Sequence, residues 1–127
     1  MKRSHFKGKF TPTHPLNYLS SRSYAIYRSS WERLFMRFLD EHPHVLTWNS
    51  ESIRIPYEFE DKPRIYIPDF TVTYLRSDRS ITTRLIEIKP FYQCRYRINQ
   101  VKWKSAREFA NHHSIEFQVL TEKDLFA

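Results

Sequence analysis

The sequence predicts one mixed α/β domain in which a single sheet is flanked by helices. The chain has 127 residues, a length that suits one hydrophobic core. Its hydrophobic residues, 40% of the total, and its aromatic residues, 17%, are enough to fill that core. The apolar pattern changes from helical spacing to alternation and back again, which predicts the order helix, several strands, helix, strand.

The composition excludes several other classes of protein. Mean hydropathy is −0.67 and no apolar run approaches membrane-spanning length, so we expect no transmembrane helix and no membrane partner. The start, "MKRSHFKGKF", has no apolar signal core, so we do not expect secretion. The single cysteine, Cys94, excludes an internal disulfide and fits a reducing compartment. With one glycine, Gly8, the chain lacks Gly-rich phosphate loops, and we expect no nucleotide cofactor.

Positive charge is concentrated at the start of the chain. The net charge is +7, yet the first carboxylate is Glu32, and the preceding residues carry six Lys and Arg side chains. A basic arm ahead of a nearly balanced domain is typical of proteins that contact phosphate backbones, and a solubilising tail is the alternative. We therefore divide the single domain into a basic extended arm, 1–26, and a catalytic core, 27–127.

A helix is predicted after the arm. In "RSSWERLFMRFLDEHP", Ser29 followed by Glu32 is a possible capping box, and Pro43 ends the helical pattern. The apolar stripe repeats at i, i+3, i+4 and i+7, at Trp31, Leu34, Phe35 and Phe38.

Strands are predicted next, at 45–50 and 53–59. Then "RIYIPDFTVTYL" (64–75) and "ITTRLIEIKP" (81–90), joined by the turn "RSDRS", predict an antiparallel hairpin in which Pro68 marks an edge or a bend. Helical spacing returns at 97–113, and the last elements predicted are a strand at 115–120 and a short capped turn at 121–127.

The strand "RLIEIKP" contains two charges where aliphatic residues would pack better. Alternation places Glu87 and Lys89 on one face of this strand and Ile86 and Ile88 on the other. Burying charges without partners is costly. The two side chains must therefore be solvated, neutralise each other, or bind something.

Asp69 is predicted to lie beside this pair, if 64–75 pairs with 81–89. Adjacent carboxylates raise each other's pKa unless a cation separates them. Mg²⁺ suits such a site, because it binds oxygen ligands and combines one or two carboxylates with waters and substrate phosphate. Lys89 would then hold the attacking water and offset charge on the phosphate. The alternatives are a cross-strand ion pair for Glu87 and Lys89 and a turn or capping role for Asp69.

Basic and aromatic residues are interleaved just after this strand, which suits contact with a DNA backbone. Lys102 lies on the helical face that we expect to meet the sheet. There it either covers apolar surface with its stem or contacts phosphate or a catalytic carboxylate. The predicted DNA-binding residues are Lys7, Lys9, Arg28, Arg95, Arg97, Lys102 and Lys104.

The motif Pro-Asp followed by Glu-x-Lys on an apolar strand resembles the PD-(D/E)xK nuclease superfamily. The resemblance implies a restriction-endonuclease-like core, Mg²⁺ as cofactor with Mn²⁺ able to substitute, and a glutamate on an upstream helix that completes the metal site. Glu32 is the candidate for that glutamate, and its alternative role is the capping box alone. The implied metal ligands are Glu32, Asp69, Glu87 and the Ile88 carbonyl, and Lys89 joins the three carboxylates as a catalytic residue.

A narrower resemblance is carried by "GKFTPTHPLNYL", "IYRSSWERLFMRFLDEHPHVLTWNSESIRIPY", "PDF", "LIEIKP", "KWKSAREFA" and "FQVLTEKDL". Together these are similar to the head-completion nucleases of contractile-tailed phages over nearly the whole chain. The nuclease domain of the transposase subunit that cuts 5′ transposon ends is similar in its core and less so in the arm. One departure is Leu19, where glycine is expected soon after Tyr18, and it affects the local turn.

This resemblance implies a Mg²⁺-dependent DNA endonuclease that trims DNA protruding from the packaged capsid before the tail attaches. It implies DNA as substrate, phage portal or neck proteins as further partners, and a location in the host cytoplasm or on the virion. A second hypothesis is a structural head or neck protein that binds DNA or the portal without turnover. The transposase-subunit hypothesis requires a downstream partner-binding domain, which we do not expect in a chain that ends at Ala127.

Overall fold

The computed structural model describes residues 2–126. The helices are α1 (Ser30–Glu41), α2 (Arg97–His112) and α3 (Glu122–Leu125), and two 3₁₀ helices lie at Pro15–Asn17 and Phe91–Arg95. The strands are β1 (Gly8–Phe10), β2 (Ala25–Tyr27), β3 (Val45–Ser50), β4 (Ile55–Phe59), β5 (Lys62–Tyr66), β6 (Phe70–Leu75), β7 (Ile81–Ile88) and β8 (Glu116–Leu120). In this part of the chain no helix is long and apolar enough to span a membrane.

The central sheet has four strands in the order β3-β6-β7-β8. The predicted β6–β7 hairpin is confirmed and places Phe70 opposite Ile86, whereas β7 and β8 run parallel, so the sheet is mixed. The alternation predicted for β7 is also confirmed. Ile86 and Ile88 pack with the apolar face of α1, and Leu85 packs with Trp103 of α2 on the other face. The predicted mixed sheet flanked by helices is therefore confirmed.

The segment predicted at 64–75 forms two strands, because the chain bends at the proline where the sequence indicated an edge or a bend. β5 ends at Tyr66 and pairs with β4 in a separate two-stranded sheet, while β6 begins at Phe70. Pro68, which is buried, has no N–H to donate to a sheet ladder and separates the two strands. Asp69 consequently lies at a corner, immediately before β6, instead of inside a strand.

The arm is folded onto the core. β1 and β2 pair antiparallel, so the division predicted at residue 26 falls inside β2. The Tyr18 ring lies 4.6 Å from that of Trp48, between centroids. The buried Asp40 carboxylate accepts hydrogen bonds of 2.9 Å from the backbone N–H groups of Thr13 and His14. Although burial opposes ionisation, these bonds hold the pKa of Asp40 below its ordinary value.

Candidate active site

Glu32 reaches the site from the first turn of α1. Ser29 has extended backbone and accepts a hydrogen bond of 3.2 Å from the Glu32 N–H, which confirms it as the N-cap. The Glu32 carboxylate accepts from the Ser29 hydroxyl at 3.3 Å and from the Arg28 N–H at 3.4 Å, so it does not close the capping box on the Ser29 N–H. Burial, and then the charge of Asp69, raise the pKa of Glu32 to about 7.

Asp69 and Glu87 lie side by side, as the sequence predicted. Because Phe70 is opposite Ile86, the same register places Asp69 opposite Glu87. Asp69 Oδ2 accepts a hydrogen bond of 2.7 Å from the Ile88 N–H, which fixes its direction. Burial and the charge of Glu87 raise the pKa of Asp69, and burial raises the pKa of Glu87 in spite of nearby Lys89. When both side chains are ionised, their negative charges are therefore poorly compensated by the protein.

Lys89 lies one residue beyond β7. Its N–H donates to the Leu120 carbonyl at 3.0 Å, which continues the pairing with β8 and sets the direction of the side chain. Its ammonium Nζ lies 3.7 Å from Glu87 Oε2, so the two form an ion pair. The other oxygen, Glu87 Oε1, is buried and has no hydrogen-bond partner among residues 2–126. The ion pair with Lys89 therefore does not by itself satisfy Glu87.

Tyr66 and Trp103 complete the surroundings of Glu87, and sequence reasoning did not identify either as part of the site. Within the described residues, Tyr66 Oη and Trp103 Nε1 are also buried polar atoms without a geometrically acceptable partner. Burial, and then the charges of Glu87 and Asp69, raise the pKa of the Tyr66 hydroxyl. The sequence signal for Tyr66 was weak, because an aromatic residue on an alternating strand usually indicates a position in the hydrophobic core. Trp103 belongs to the basic, aromatic-rich sequence after β7, yet it is only 3% exposed, because it lies on the face of α2 that packs with Leu85 of the central sheet.

Lys102 faces the same side of the sheet as Glu87. Its Nζ lies 5.7 Å from the centroid of the Tyr66 ring. Burial and the charge of Lys89 lower the pKa of Lys102, while Glu87 opposes that shift. The predicted orientation of Lys102 toward the sheet is confirmed, and it places a second ammonium near the carboxylates.

Glu51 is another acid that sequence reasoning missed. It follows β3 with a φ of 51°, in the left-handed region, and its N–H donates to the Asp69 carbonyl at 3.0 Å. The Arg28 guanidinium donates to both Glu51 carboxylate oxygens, at 2.6 and 3.2 Å. Arg28, predicted to contact DNA, is thus held by Glu51 at the edge of the site. The signal that could have indicated Glu51 is its position just after a strand that neighbours Asp69.

The remaining predicted DNA contacts are exposed. Lys7 and Lys9 lie on and beside β1, and Lys9 Nζ is 4.5 Å from the centroid of the Tyr24 ring. Arg95 lies just before α2, Arg97 is its first residue, and Lys104 lies in its middle. None of these five side chains pairs with a carboxylate within residues 2–126: Lys7, Lys9, Arg95, Arg97 and Lys104.

The donor set fits a hard divalent cation held partly by water. Among residues 2–126 no three His, Cys, Asp or Glu side chains are grouped closely enough to hold a metal by themselves. Asp69 and Glu87 are nevertheless adjacent carboxylates, and Glu87 Oε1 is a buried oxygen with no hydrogen-bond partner within that same range. Mg²⁺ typically takes one or two carboxylates and fills its other positions with waters and phosphate. This pair therefore suits Mg²⁺ better than a metal that needs a full set of side chains.

An apolar cleft of about 710 Å³ lies on the opposite face of the sheet. It is lined by α1, the end of α3 and side chains such as Ile86 and Leu120, and it contains none of the residues around Glu87. The cleft and the carboxylate site are therefore separate features of the molecule.

Comparison with known proteins agrees with this geometry. Residues 42–122 match the family described as TnsA-like endonuclease N terminal, a stretch that includes Asp69, Glu87 and Lys89 and excludes Glu32. The chain is also 30% identical to the head completion nuclease of Enterobacteria phage T4, in an alignment of 146 residues that covers 96% of this chain and 95% of the relative. The predicted resemblance and the restriction-endonuclease-like fold are confirmed.

Proposed function

Because the chain belongs to the TnsA-like endonuclease N-terminal family, we propose that it is a metal-dependent DNA endonuclease that hydrolyses phosphodiester bonds. One observation supports this proposal above the others. Glu87 Oε1 is buried beside Asp69 and has no hydrogen-bond partner in the part of the chain that the structure describes, and the pKa values of both carboxylates are raised. Two buried anions side by side are costly unless a cation lies between them. Mg²⁺, or Mn²⁺ in its place, is the cation that we propose.

The residues that would hold the ion come from two strands and a helix. Asp69 and Glu87 would supply carboxylate oxygens. The Ile88 N–H points toward Asp69, and since the N–H and C=O of one strand residue point to the same edge, the Ile88 carbonyl is directed there as well. Glu32, partly buried on α1, would complete the set directly or through a water. When bound, the ion would polarise the phosphate and lower the pKa of a bound water.

Lys89 would act at the boundary between the carboxylates and solvent. Its side chain is 22% exposed and its ammonium contacts Glu87, so it can meet both a water and a phosphate oxygen. We propose that Lys89 orients the attacking water and offsets negative charge that develops on the phosphate. Lys102, on α2, would keep a second positive charge near Glu87.

The biological setting that we propose is phage head completion. The support is the relative from phage T4, whose name is head completion nuclease and whose length this chain matches almost fully. In that role the enzyme would trim DNA ends at the packaged capsid, in the host cytoplasm or on the virion, next to portal or neck proteins. The alternative remains a structural head or neck protein that has this fold and binds DNA or the portal without turnover.

Cleavage of plasmid and branched DNA in Mg²⁺ or Mn²⁺ tests the catalytic assignment. We expect the wild type to cleave DNA and a chelator to abolish cleavage. Lys89→Ala should lower the cleavage rate by at least about 100-fold, the loss that is typical when one group that stabilises the transition state is removed. Lys62→Ala, which removes an exposed lysine from β5, is the matched control. Equal activity of wild type and Lys89→Ala would show that the assignment is wrong.

A stability measurement tests the metal without relying on activity. An ion that binds only the folded state, and is present at a concentration of about 100 times its Kd, stabilises that state by about 2.7 kcal/mol. We therefore expect Mn²⁺ to raise the unfolding midpoint of the wild type and to raise that of Asp69→Asn much less. DNA binding without cleavage, together with infectious particles from an Asp69→Ala phage, would favour the structural alternative.

A further inference from the structure

Two exposed tyrosines follow the proposed catalytic strand. The 3₁₀ helix Phe91–Arg95 begins two residues after Lys89. Tyr92 is 63% exposed and Tyr96 is 50% exposed, and their ring centroids lie 6.3 Å apart in an edge-on arrangement. Rings this exposed add little to the folding free energy, because most of their apolar surface stays in water.

The backbone that carries these rings is held firmly. The side chain of Asn99, 4% exposed, donates to the Gln93 carbonyl at 2.8 Å, and the Tyr96 N–H donates to the same carbonyl at 3.1 Å. On the other side, the Phe91 N–H donates to Glu122 Oε1 of α3 at 2.7 Å. The turn is therefore fixed by both α2 and α3, and its rings are presented without a large ordering cost on binding.

The turn lies beside the proposed catalytic lysine. Tyr92 lies three positions after Lys89, so their Cα atoms are at most about 11 Å apart. The Cys94 thiol within the turn also donates to the Pro90 carbonyl at 3.8 Å, which holds the turn against the residue that follows Lys89. At about 3.4 Å per nucleotide along one strand, the rings lie within a few nucleotides of a phosphate held at Lys89.

Positive charge lies next to the rings in the chain. Arg95 and Arg97 flank Tyr96, both are exposed, and neither pairs with a carboxylate in the described part of the chain. Exposed aromatic rings set among free cations are the combination that binds single-stranded nucleic acid, with bases stacked on rings and phosphates near cations. In a duplex the base faces are already stacked on one another, so only unpaired bases can use these rings.

We propose that Tyr92 and Tyr96, the aromatic platform, stack on unpaired bases next to the scissile phosphate. The preferred substrate is then DNA with unpaired nucleotides at the cleavage site, such as an overhanging end or a branch, in preference to continuous duplex. This inference rests on the proposed nuclease function for its biological meaning, but the binding preference is measurable without cleavage.

The test compares binding of two oligonucleotide duplexes that differ only in a short single-stranded overhang, at one fixed salt concentration. The Lys89→Ala protein is used so that the DNA stays intact. We expect the overhang to strengthen binding by about tenfold for each stacked base. In the Lys89→Ala background, Tyr92→Ala combined with Tyr96→Ala should bring the ratio of the affinities for the duplexes with and without the overhang close to one. Tyr92→Phe combined with Tyr96→Phe should preserve that ratio. Ile81→Ala, which removes an exposed apolar side chain at the far end of β7, is the control and should also preserve it.

A second readout reports stacking itself. The fluorescent base 2-aminopurine in the overhang should be quenched on binding to the protein with both tyrosines and less quenched by the double alanine variant. A ratio that is unchanged in the double alanine variant, or no preference for the overhang at all, overturns the platform even if the wild type cleaves DNA. A tyrosine-dependent preference in a wild type that cleaves nothing supports the platform and refutes the nuclease function. Absence of any DNA binding refutes both.

Discussion

Replacing Glu32 by Gln is expected to stabilise the metal-free protein at neutral and higher pH. Gln has nearly the same shape as Glu. Its carbonyl oxygen can still accept from the Arg28 N–H, and its amide NH2, in place of the second carboxylate oxygen, can donate to the Ser29 hydroxyl. The substitution removes only the negative charge, which lies close to Asp69. It therefore isolates the electrostatic cost of holding this carboxylate in the site.

The magnitude follows from the pKa of Glu32, which rises from 4.5 to about 7 on folding. Each pKa unit corresponds to about 1.4 kcal/mol, so the shift corresponds to about 3 kcal/mol. The sign is set by proton binding. Between pH 4.5 and 7 the folded state holds the proton more often than the unfolded state, so the free energy of unfolding falls as pH rises. The cost is absent below pH 4.5 and complete above pH 7.

Urea denaturation in a chelator, at several pH values from 4 to 8.5, measures this effect. The wild type is expected to lose stability across the range, with further contributions from Asp69 and Glu87, whose pKa values are also raised. The difference between Glu32→Gln and wild type should grow from near zero to about 3 kcal/mol. Glu41→Gln, the same change at the exposed end of the same helix, is the matched control. Its difference from wild type should stay nearly constant with pH.

A Glu32→Gln protein that is less stable than wild type at pH 8, or whose difference from wild type does not change with pH, would refute this reasoning. Either result would mean that Glu32 contributes through its capping interactions and not through charge repulsion in the site. Adding Mn²⁺ provides an independent check, because a bound cation should reduce the pH dependence of the wild type.

Three further predictions concern the arm and the surroundings of the carboxylates. Asp40→Asn should lower the free energy of unfolding by about 1–3 kcal/mol at pH 7, because the N–H groups of Thr13 and His14 lose an ionised acceptor. The difference should shrink as pH falls below 3.8, and a constant difference in urea titrations would contradict this. Gly8→Ala should lower the free energy of unfolding by about 1–3 kcal/mol, because the new Cβ would overlap the Tyr27 ring. An unchanged midpoint of thermal unfolding would contradict this. Tyr66→Phe should reduce turnover about tenfold with little change in KM. The Tyr66 hydroxyl lies near Glu87 and is unpaired within residues 2–126, so it is free to donate to that carboxylate when an ion is bound; a change in KM alone would argue against this role.

Much of the fold followed from local patterns in the sequence. The stripe at Trp31 and the Ser29 cap were sufficient to predict α1, because capping and helical periodicity depend on neighbours a few residues apart. The alternation in β7 determined that Glu87 and Lys89 share one side, since the strand period is fixed by backbone geometry. The apolar face of Ile86 and Ile88 toward α1 followed from the same pattern.

The tertiary structure decided what local patterns could not. Pro68 indicated an edge or a bend, but only the tertiary structure showed that β5 pairs in a second sheet, which brings the Tyr66 hydroxyl to Glu87. Glu51 comes to Asp69 because β3 pairs with β6, a contact between distant parts of the chain. By itself, the sequence determined which charges lie on the β7 strand and which way they face. Only the packed structure determined that Glu87 keeps a buried oxygen with no hydrogen-bond partner among the described residues, because burial depends on every element that surrounds a group.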